Sequence, residues 1–202
     1  MQDNITPVRI GVIGATGGIG ARIAAEAEAR GHSVCVIRRD ALDLDYGDLD
    51  GLDVLVNAHQ AQVGRERDHL EVDRHLISLL TGTPVRLIVV GSAGHLFTDD
   101  SRTAIYWQSR LARGPLRNLA RALERAYFLY KISLDLRWTY LAPPVELVSQ
   151  GERTGRYRVG GDVILTDEFG RSRLSHADYA VALVDEIETD AHAGRMYTVA
   201  AA

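Results

Sequence analysis

One cysteine in 202 residues, Cys35, leaves no partner for an intrachain disulfide, and its place inside the apolar run 33–37 makes it a core residue. No apolar stretch approaches the roughly 20 residues that a membrane helix needs. Met1 to Pro7 is polar and lacks a basic region leading into a signal-type apolar segment. No membrane partner is expected, and a cytoplasmic location is. A basic excess is also missing: 23 Lys and Arg stand against 27 Asp and Glu, a formal net charge of −4, so nucleic acid is not an expected partner. The seven histidines are scattered, and His69 and His75 are six apart, off the i, i+4 face of a helix, so no metal is expected. Repeats and low-complexity segments are absent. The remaining composition, 46% hydrophobic and 25% charged, is that of an ordinary soluble globular protein. Its length suits one domain, residues 1–202, with a sheet covered on both faces.

Short runs rich in Val, Ile and Leu recur at 9–13, 33–37, 53–57, 85–90 and 137–141, alternating with helical patterns at 18–30, 65–81 and 116–132. Apolar strands separated by helices predict a parallel sheet buried on both faces, and right-handed crossovers make it a doubly wound α/β fold. A fourth helix starts at Ser175-His176-Ala177-Asp178, which resembles a capping box, and runs to about 189; 195–200 reads as the last strand. Gly160-Gly161 and Phe169-Gly170 punctuate 157–174, which reads as a small hairpin inserted after the main sheet. Residues 40–51 are acidic and few, so the crossover between the second and third strands is abbreviated.

The stretch from Arg9 to Gly20 combines an apolar run, a turn spaced Gly14-x-x-Gly17-x-x-Gly20 and the start of a helix. Any tight turn uses glycine for positive φ. The strand that follows at 33–37 completes a βαβ unit, and in that setting the turn reads as a pyrophosphate cradle whose backbone N–H groups face the ligand. Gly14, Thr16, Gly17, Gly18, Ile19 and Gly20 are its candidate residues. The second strand ends in Arg38-Arg39, where an arginine pairs with a 2′-phosphate, so the expected cofactor is NADP(H). Asp40 follows at once; were both arginines merely solvated, it would bias the site towards NAD.

With these features read together, the chain resembles the atypical short-chain dehydrogenases of the NAD(P)H-binding, NADH-flavin reductase-like group, related to biliverdin-IXβ reductases and NmrA-like proteins. The matching pieces include Gly14-Ala15-Thr16-Gly17-Gly18-Ile19-Gly20, Val89-Val90-Gly91-Ser92-Ala93-Gly94, Trp138-Thr139-Tyr140-Leu141-Ala142-Pro143-Pro144, the segment from Gly151 to Arg158, and Ser175-His176-Ala177-Asp178-Tyr179. The resemblance is thin over 40–51 and 98–123. It implies a single Rossmann-type domain that binds NADP(H), with Asn57, Ala58 and His59 beside the ribose, Ser92 facing the nicotinamide and Pro143-Pro144 at the carboxamide. The family pattern Val-Gly-Gly-Ala-Gly-Ser-Leu departs here at Ser92 and His95.

Ligands of open α/β sheets bind beyond the carboxyl ends of the strands, which makes Ser92, His95 and Tyr106 the catalytic candidates, with His59 a second possible proton relay. Tyr106 and Trp107 are placed to stack on a planar acceptor and Arg110 to meet an anionic group, although core packing serves the aromatics equally. Trp138, inside a strand, reads as core. Tyr127 and Lys131 match a Tyr-x-x-x-Lys pair, but Tyr127 falls roughly 16 Å along a helix beginning at Leu116, towards the wrong sheet edge. The implied activity is NADPH-dependent hydride transfer to a planar conjugated small molecule, such as a flavin or quinone. The alternatives are a non-catalytic NmrA-like NADP sensor and a fold recruited for isomerisation or cyclisation. Oligomeric state stays open.

Overall fold

The computed structural model describes residues 6–60, 67–109 and 116–202, with backbone alone for 67 and 116–122. In chain order the elements are β1 (Arg9–Ile13), α1 (Gly18–Ala29), β2 (Ser33–Ile37), β3 (Val54–Asn57), α2 (Arg67–Leu80), β4 (Arg86–Val90), α3 (Leu116–Ile132), β5 (Trp138–Ala142), β6 (Glu146–Val148), β7 (Tyr157–Gly160), β8 (Arg173–Ser175), α4 (His176–Thr189) and β9 (Met196–Ala201). Alternation along each strand sends its residues to two cores. Ile10, Val12, Val54 and Val56 pack under α1 and α4, whereas Ile13, Leu55, Leu87 and Val89 pack under α2 and α3. Helices on both faces make this a doubly wound α/β fold.

The main sheet runs β2-β1-β3-β4-β5-β9-β7, parallel throughout except for β7, which is antiparallel to β9. Because β1 lies between β2 and β3, its two crossovers leave in opposite directions, and the crevice at its carboxyl end is the switch point where α/β folds bind ligands. Residues 40–51 cross from β2 to β3 in two 3₁₀ turns, Ala41–Asp43 and Tyr46–Leu49, whose caps Asp40 and Asp45 accept the N–H groups of Leu42 and Gly47. The acidity of this segment is thus cap chemistry. No helix among the described residues is long and apolar enough to cross a membrane.

The C-terminal segment departs from the expected hairpin. Residues 157–160 pair with β9 as the outer strand of the main sheet, Val163 bridges to Phe97, and β8 pairs in parallel with β6. The chain does turn back on itself, since a Cβ at Gly160 would lie 2.9 Å from Leu165. The free edge of β9 supplies a complete backbone ladder, and β7 joins that edge in preference to the following segment. Ser175 caps α4 by accepting the Asp178 N–H at 2.9 Å. The Asp178 carboxylate then takes the Thr154 and Gly155 N–H groups at 2.8 and 2.7 Å, tying 151–156 to the helix start. Gly151 is fixed by the same junction, because a Cβ there would sit 2.5 Å from the Ser175 Cβ.

At the amino ends of the strands, opposite the crevice, Arg86 and Glu186 form a buried ion pair with side chains 5% and 1% exposed. Thr139 Oγ1 lies 3.0 Å from Arg86, and His192 Nδ1 lies 2.6 Å from Glu186. Arg86 Nε also lies 3.0 Å from the exposed carboxylate of Asp190. Removing Glu186 leaves Arg86 desolvated with that exposed partner alone, at a cost of up to about 3–5 kcal/mol. Glu186→Ala is therefore expected to lose about that much stability in urea titrations. A loss under about 1 kcal/mol would show that Asp190 or water compensates the Arg86 charge.

Candidate functional site

The turn after β1 is built on two glycines that tolerate nothing larger. Gly14 has φ +78°, and a Cβ there would lie 2.4 Å from the Ala58 carbonyl oxygen; at Gly20 a Cβ would lie 2.3 Å from that of Gly14. The turn is consequently pressed against the tail of β3. Gly17 and Gly18 differ, with open space where a Cβ would project. Gly17 is the N-cap of α1, no side chain caps the helix and its first turn carries no acid. An uncapped helix start presents unpaired N–H groups and a partial positive charge. Beside it opens a cleft of about 240 Å³ lined by Gly14, Thr16, Gly17, Ile19, Ala58, His59 and Gln60. Thr16 is exposed, while the Ile19 side chain is buried in the core and leaves only its backbone for the turn. A bare helix start over a floor that any side chain would fill fits a phosphate group.

The structure separates the two arginines after β2. Arg39 is engaged, 2.8 Å from Asp48 and 3.8 Å from Asp45. Arg38 is exposed and makes no ion pair among the described residues. Asp40 accepts the Leu42 N–H at 3.0 Å, so its carboxylate serves the crossover turn. Of the two, Arg38 is the one without an ion-pair partner among the described residues.

At the β3 tail, Asn57 is buried, donates from Nδ2 to Asp73 Oδ1 at 2.9 Å and accepts the His59 N–H at 3.1 Å. Tyr130 on α3 donates its hydroxyl to the same Asp73 oxygen. Burial of Asp73 pushes its carboxyl up to about 7, with the hydrogen bonds from Tyr130 and Asn57 opposing. Asp73 and Tyr130 are residues that the strand-end rule passes over. Asp73 nonetheless leaves a mark in the sequence, a carboxylate on a helical stripe with Val72, Leu76, Leu79 and Leu80. The His59 ring meets the His69 ring edge-on at 5.3 Å, and burial lowers its pKa against the pull of Asp40 and Asp68.

The β4 tail is locked from beneath. A Cβ at Gly91 would fall 2.0 Å from the Tyr140 ring. The Tyr140 hydroxyl accepts the Ser92 N–H at 3.0 Å and lies 3.1 Å from His95 Nδ1. Which of the two carries the shared proton depends on the ring tautomer, and Nε2 is buried without a partner among the described residues. His95 is buried, stacked on Tyr127 at 5.3 Å, and desolvation drives its pKa down to about 4. It is therefore neutral near pH 7 and enclosed, a placement that does not suit a proton relay. Ser92 Oγ accepts the Gly94 N–H at 3.0 Å and keeps its own proton to donate from a half-buried position.

Tyr127 stands closer to this end than its distance along α3 predicts. Its ring touches those of His95 and Tyr140, at 5.3 and 5.0 Å between centroids. Counting rise along the helix ignored the sideways reach of the side chain from a helix that crosses over β4 and β5. Tyr127 is a packing tyrosine, with exposed Lys131 5.9 Å over its ring. Trp138 lies in the core as expected. Tyr106 and Trp107 form a 3₁₀ turn held by the Tyr106 N–H to the Leu96 carbonyl at 2.8 Å. Both are half-buried, and Trp107 Nε1 is buried without a partner among the described residues. Phe97 bridges to Ile105 on one side and Val163 on the other. Arg110 lies outside the described residues. Pro143 is half-buried and Pro144 buried at the end of β5, where Thr198 Oγ1 holds the Ala142 carbonyl at 2.9 Å.

His95 and Asp73 act on stability with opposite signs. The His95 pKa falls from 6.5 unfolded to about 4, so its contribution is complete above pH 6.5 and is lost as pH falls towards 4. The Asp73 carboxyl rises from 3.8 unfolded to about 7, so its contribution is complete below 3.8 and is lost as pH climbs towards 7. These amount to roughly 3 kcal/mol for His95 and roughly 4 kcal/mol for Asp73. In urea titrations from pH 4 to 7, the stability gap between wild type and His95→Leu should narrow towards acid, and the gap to Asp73→Asn should shift against wild type towards neutral. Parallel curves for all three proteins would refute both assignments.

The chain matches no protein-family model. It is 34% identical over 210 residues to the uncharacterized Bacillus subtilis protein YwnB, covering 95% of this chain and 98% of that one. A Streptococcus pneumoniae structure described as a putative NADH-flavin reductase is 31% identical with TM-score 0.92, over 96% of this chain and 100% of that one. A Burkholderia pseudomallei structure described as a putative exported protein is also 31% identical, with TM-score 0.86 over 96% and 99% of the two chains. With this likeness over nearly its whole length, and with a glycine turn pressed on the β3 tail beneath an uncapped α1, the chain belongs to the atypical short-chain dehydrogenase/reductase family of NAD(P)H-binding proteins.

Proposed function

We propose that the protein is an NADPH-dependent oxidoreductase that delivers hydride to a planar conjugated small molecule of the flavin or quinone class. The observation that carries this reading is the uncapped start of α1 above the open floor at Gly17 and Gly18, with Arg38 unpaired at the neighbouring strand end. The designation of the Streptococcus pneumoniae relative as a putative NADH-flavin reductase supports the reaction class. When bound, the reduced nicotinamide supplies the hydride.

The chain's own residues bind and orient. Backbone N–H groups of the glycine turn take the pyrophosphate, Asn57, Ala58 and His59 form the opposite wall, and Arg38 takes the 2′-phosphate. Ser92 donates its spare hydroxyl proton to the carboxamide or to the acceptor, next to the Pro143-Pro144 turn. Tyr106, at the junction around Phe97, flanks the acceptor. His95 holds the β4 loop from below and stays neutral. A conjugated acceptor spreads the incoming charge over its rings, so alignment suffices and water delivers the proton.

Loss of reduced-nicotinamide absorbance with NADPH and a panel of flavins and quinones tests the activity. Binding of NADPH without turnover of any acceptor would favour a dinucleotide sensor instead. A charge-assisted contact contributes about 1.5–3 kcal/mol, so Arg38→Ala should weaken NADPH binding by roughly ten- to a hundredfold and leave NADH nearly unchanged. Arg39→Ala should do far less, because Asp48 already holds that side chain. Equal losses for both coenzymes would remove the 2′-phosphate from Arg38.

A further inference from the structure

Asp73 sits one residue after Val72 on the buried face of α2 and is 4% exposed. It belongs to no loop of the cleft, yet it is joined to one in two steps. Its Oδ1 accepts from Asn57 Nδ2 at 2.9 Å, and Asn57 Oδ1 accepts the His59 N–H at 3.1 Å. Fixing the Asn57 amide in this orientation fixes the turn that carries Ala58 and His59, and the Ala58 carbonyl is what Gly14 packs against. Two helices, α2 through Asp73 and α3 through Tyr130, thereby brace the wall facing the glycine turn.

We propose that Asp73 is a positioning residue: through Asn57 its carboxyl holds residues 57–60 against the glycine turn, and its protonation state tunes how tightly the cleft takes an anionic dinucleotide. Both donors use Oδ1, so a proton on Oδ2 leaves the whole network intact. Ionisation would instead leave a negative charge in the interior. The groups facing it are Asn57 from β3, Tyr130 from α3 and Tyr140 from β5, all neutral, with His69 one turn earlier on α2 against His59. Among the described residues no Lys or Arg pairs with it. Burial accordingly favours the acid up to about pH 7. Phosphates arriving at the cleft add negative charge, and by reciprocity proton and dinucleotide favour each other's binding.

The tuning rests on the cleft being a nucleotide site, whereas the bracing does not, and the test keeps the two apart. Asp73→Asn preserves the Oδ1 acceptor and cannot ionise, Asp73→Leu removes the acceptor, and Tyr130→Phe removes one donor. In the cofactor-free protein, amide hydrogen exchange at His59 should be about tenfold faster in Asp73→Leu and near wild type in Asp73→Asn. Should Asp73→Leu not fold, the comparison is made with Asp73→Ala, which removes the same acceptor. Unchanged exchange in the variant that removes the contact overturns the bracing.

NADPH dissociation constants from calorimetry between pH 6 and 8.5 test the tuning. Wild type should weaken roughly fivefold more than Asp73→Asn over this range. Tyr130→Phe should move the midpoint of the wild-type course upward, because the Tyr130 hydrogen bond lowers the Asp73 pKa. The same course in wild type and Asp73→Asn overturns the tuning. Failure of NADPH to bind at any pH overturns the functional reading and the tuning with it, while exchange at His59 still decides the bracing.

Discussion

The approach of Gly14 to the Ala58 carbonyl is the contact on which the rest of the site depends. In a parallel sheet the carboxyl ends of β1 and β3 lie side by side, with Ile13 in register with Asn57. For α1 to start directly above that edge, the chain must turn within a few residues and pass against the backbone of the neighbouring strand. Only a residue without a Cβ can do so at φ +78°, with a neighbour 2.4 Å from the Cβ position. Gly20 repeats the requirement six residues later, in the first turn of α1, against the Gly14 carbonyl. The open glycines, Gly17 and Gly18, then leave the space beside the helix start clear, because the closed ones have already set the path of the turn.

Holding that edge requires polar groups in places where hydrophobic packing would be simpler. Asp73 beneath β3 and His95 beneath β4 are both buried, and both are displaced by desolvation towards their neutral forms. Neutral polar groups with fixed hydrogen-bond directions specify orientation in a way that Leu or Val cannot. The Tyr140 hydroxyl illustrates this by joining the Ser92 N–H to His95 Nδ1 and so fixing the strand-end loop from inside the core. The buried ion pair of Arg86 with Glu186 sits at the opposite end of the strands, where rigidity does not interfere with ligand entry.

The framework of this fold was legible because it rests on local signals. Apolar runs marked the parallel strands, the α3 bounds at Leu116 and Ile132 followed from helical periodicity, and the shortness of 40–51 announced an abbreviated crossover. Pairings set by long-range competition were not legible. The residues of β7 carry a strand pattern, but nothing in that pattern says that the edge of β9 will be their partner. Tyr127 shows the same limit in another form. Position along a helix follows from the sequence, whereas the direction in which a ring reaches follows from how the helix lies on the sheet. Asp73 was missed for a different reason, since a rule that looks only beyond strand ends overlooks the groups that hold those ends from below.

The two departures from the family pattern at the β4 tail take on different characters once their surroundings are known. His95 fills the aromatic cluster of Tyr127 and Tyr140, and its ring is directed inward, so it shapes the loop without facing a ligand. Ser92 caps the following turn with its lone pair and retains a proton, so of the two it is the one with a donor to spare. Under the proposed function, selectivity for the acceptor falls to the segments gathered around Phe97. Phe97, bridged to Ile105 and Val163, gathers the segment carrying Tyr106 and Trp107 together with the C-terminal segment 161–166 over the end of β4. These segments lie outside the glycine turn and the strand-end wall, so their sequences can change while the cofactor cradle keeps its geometry.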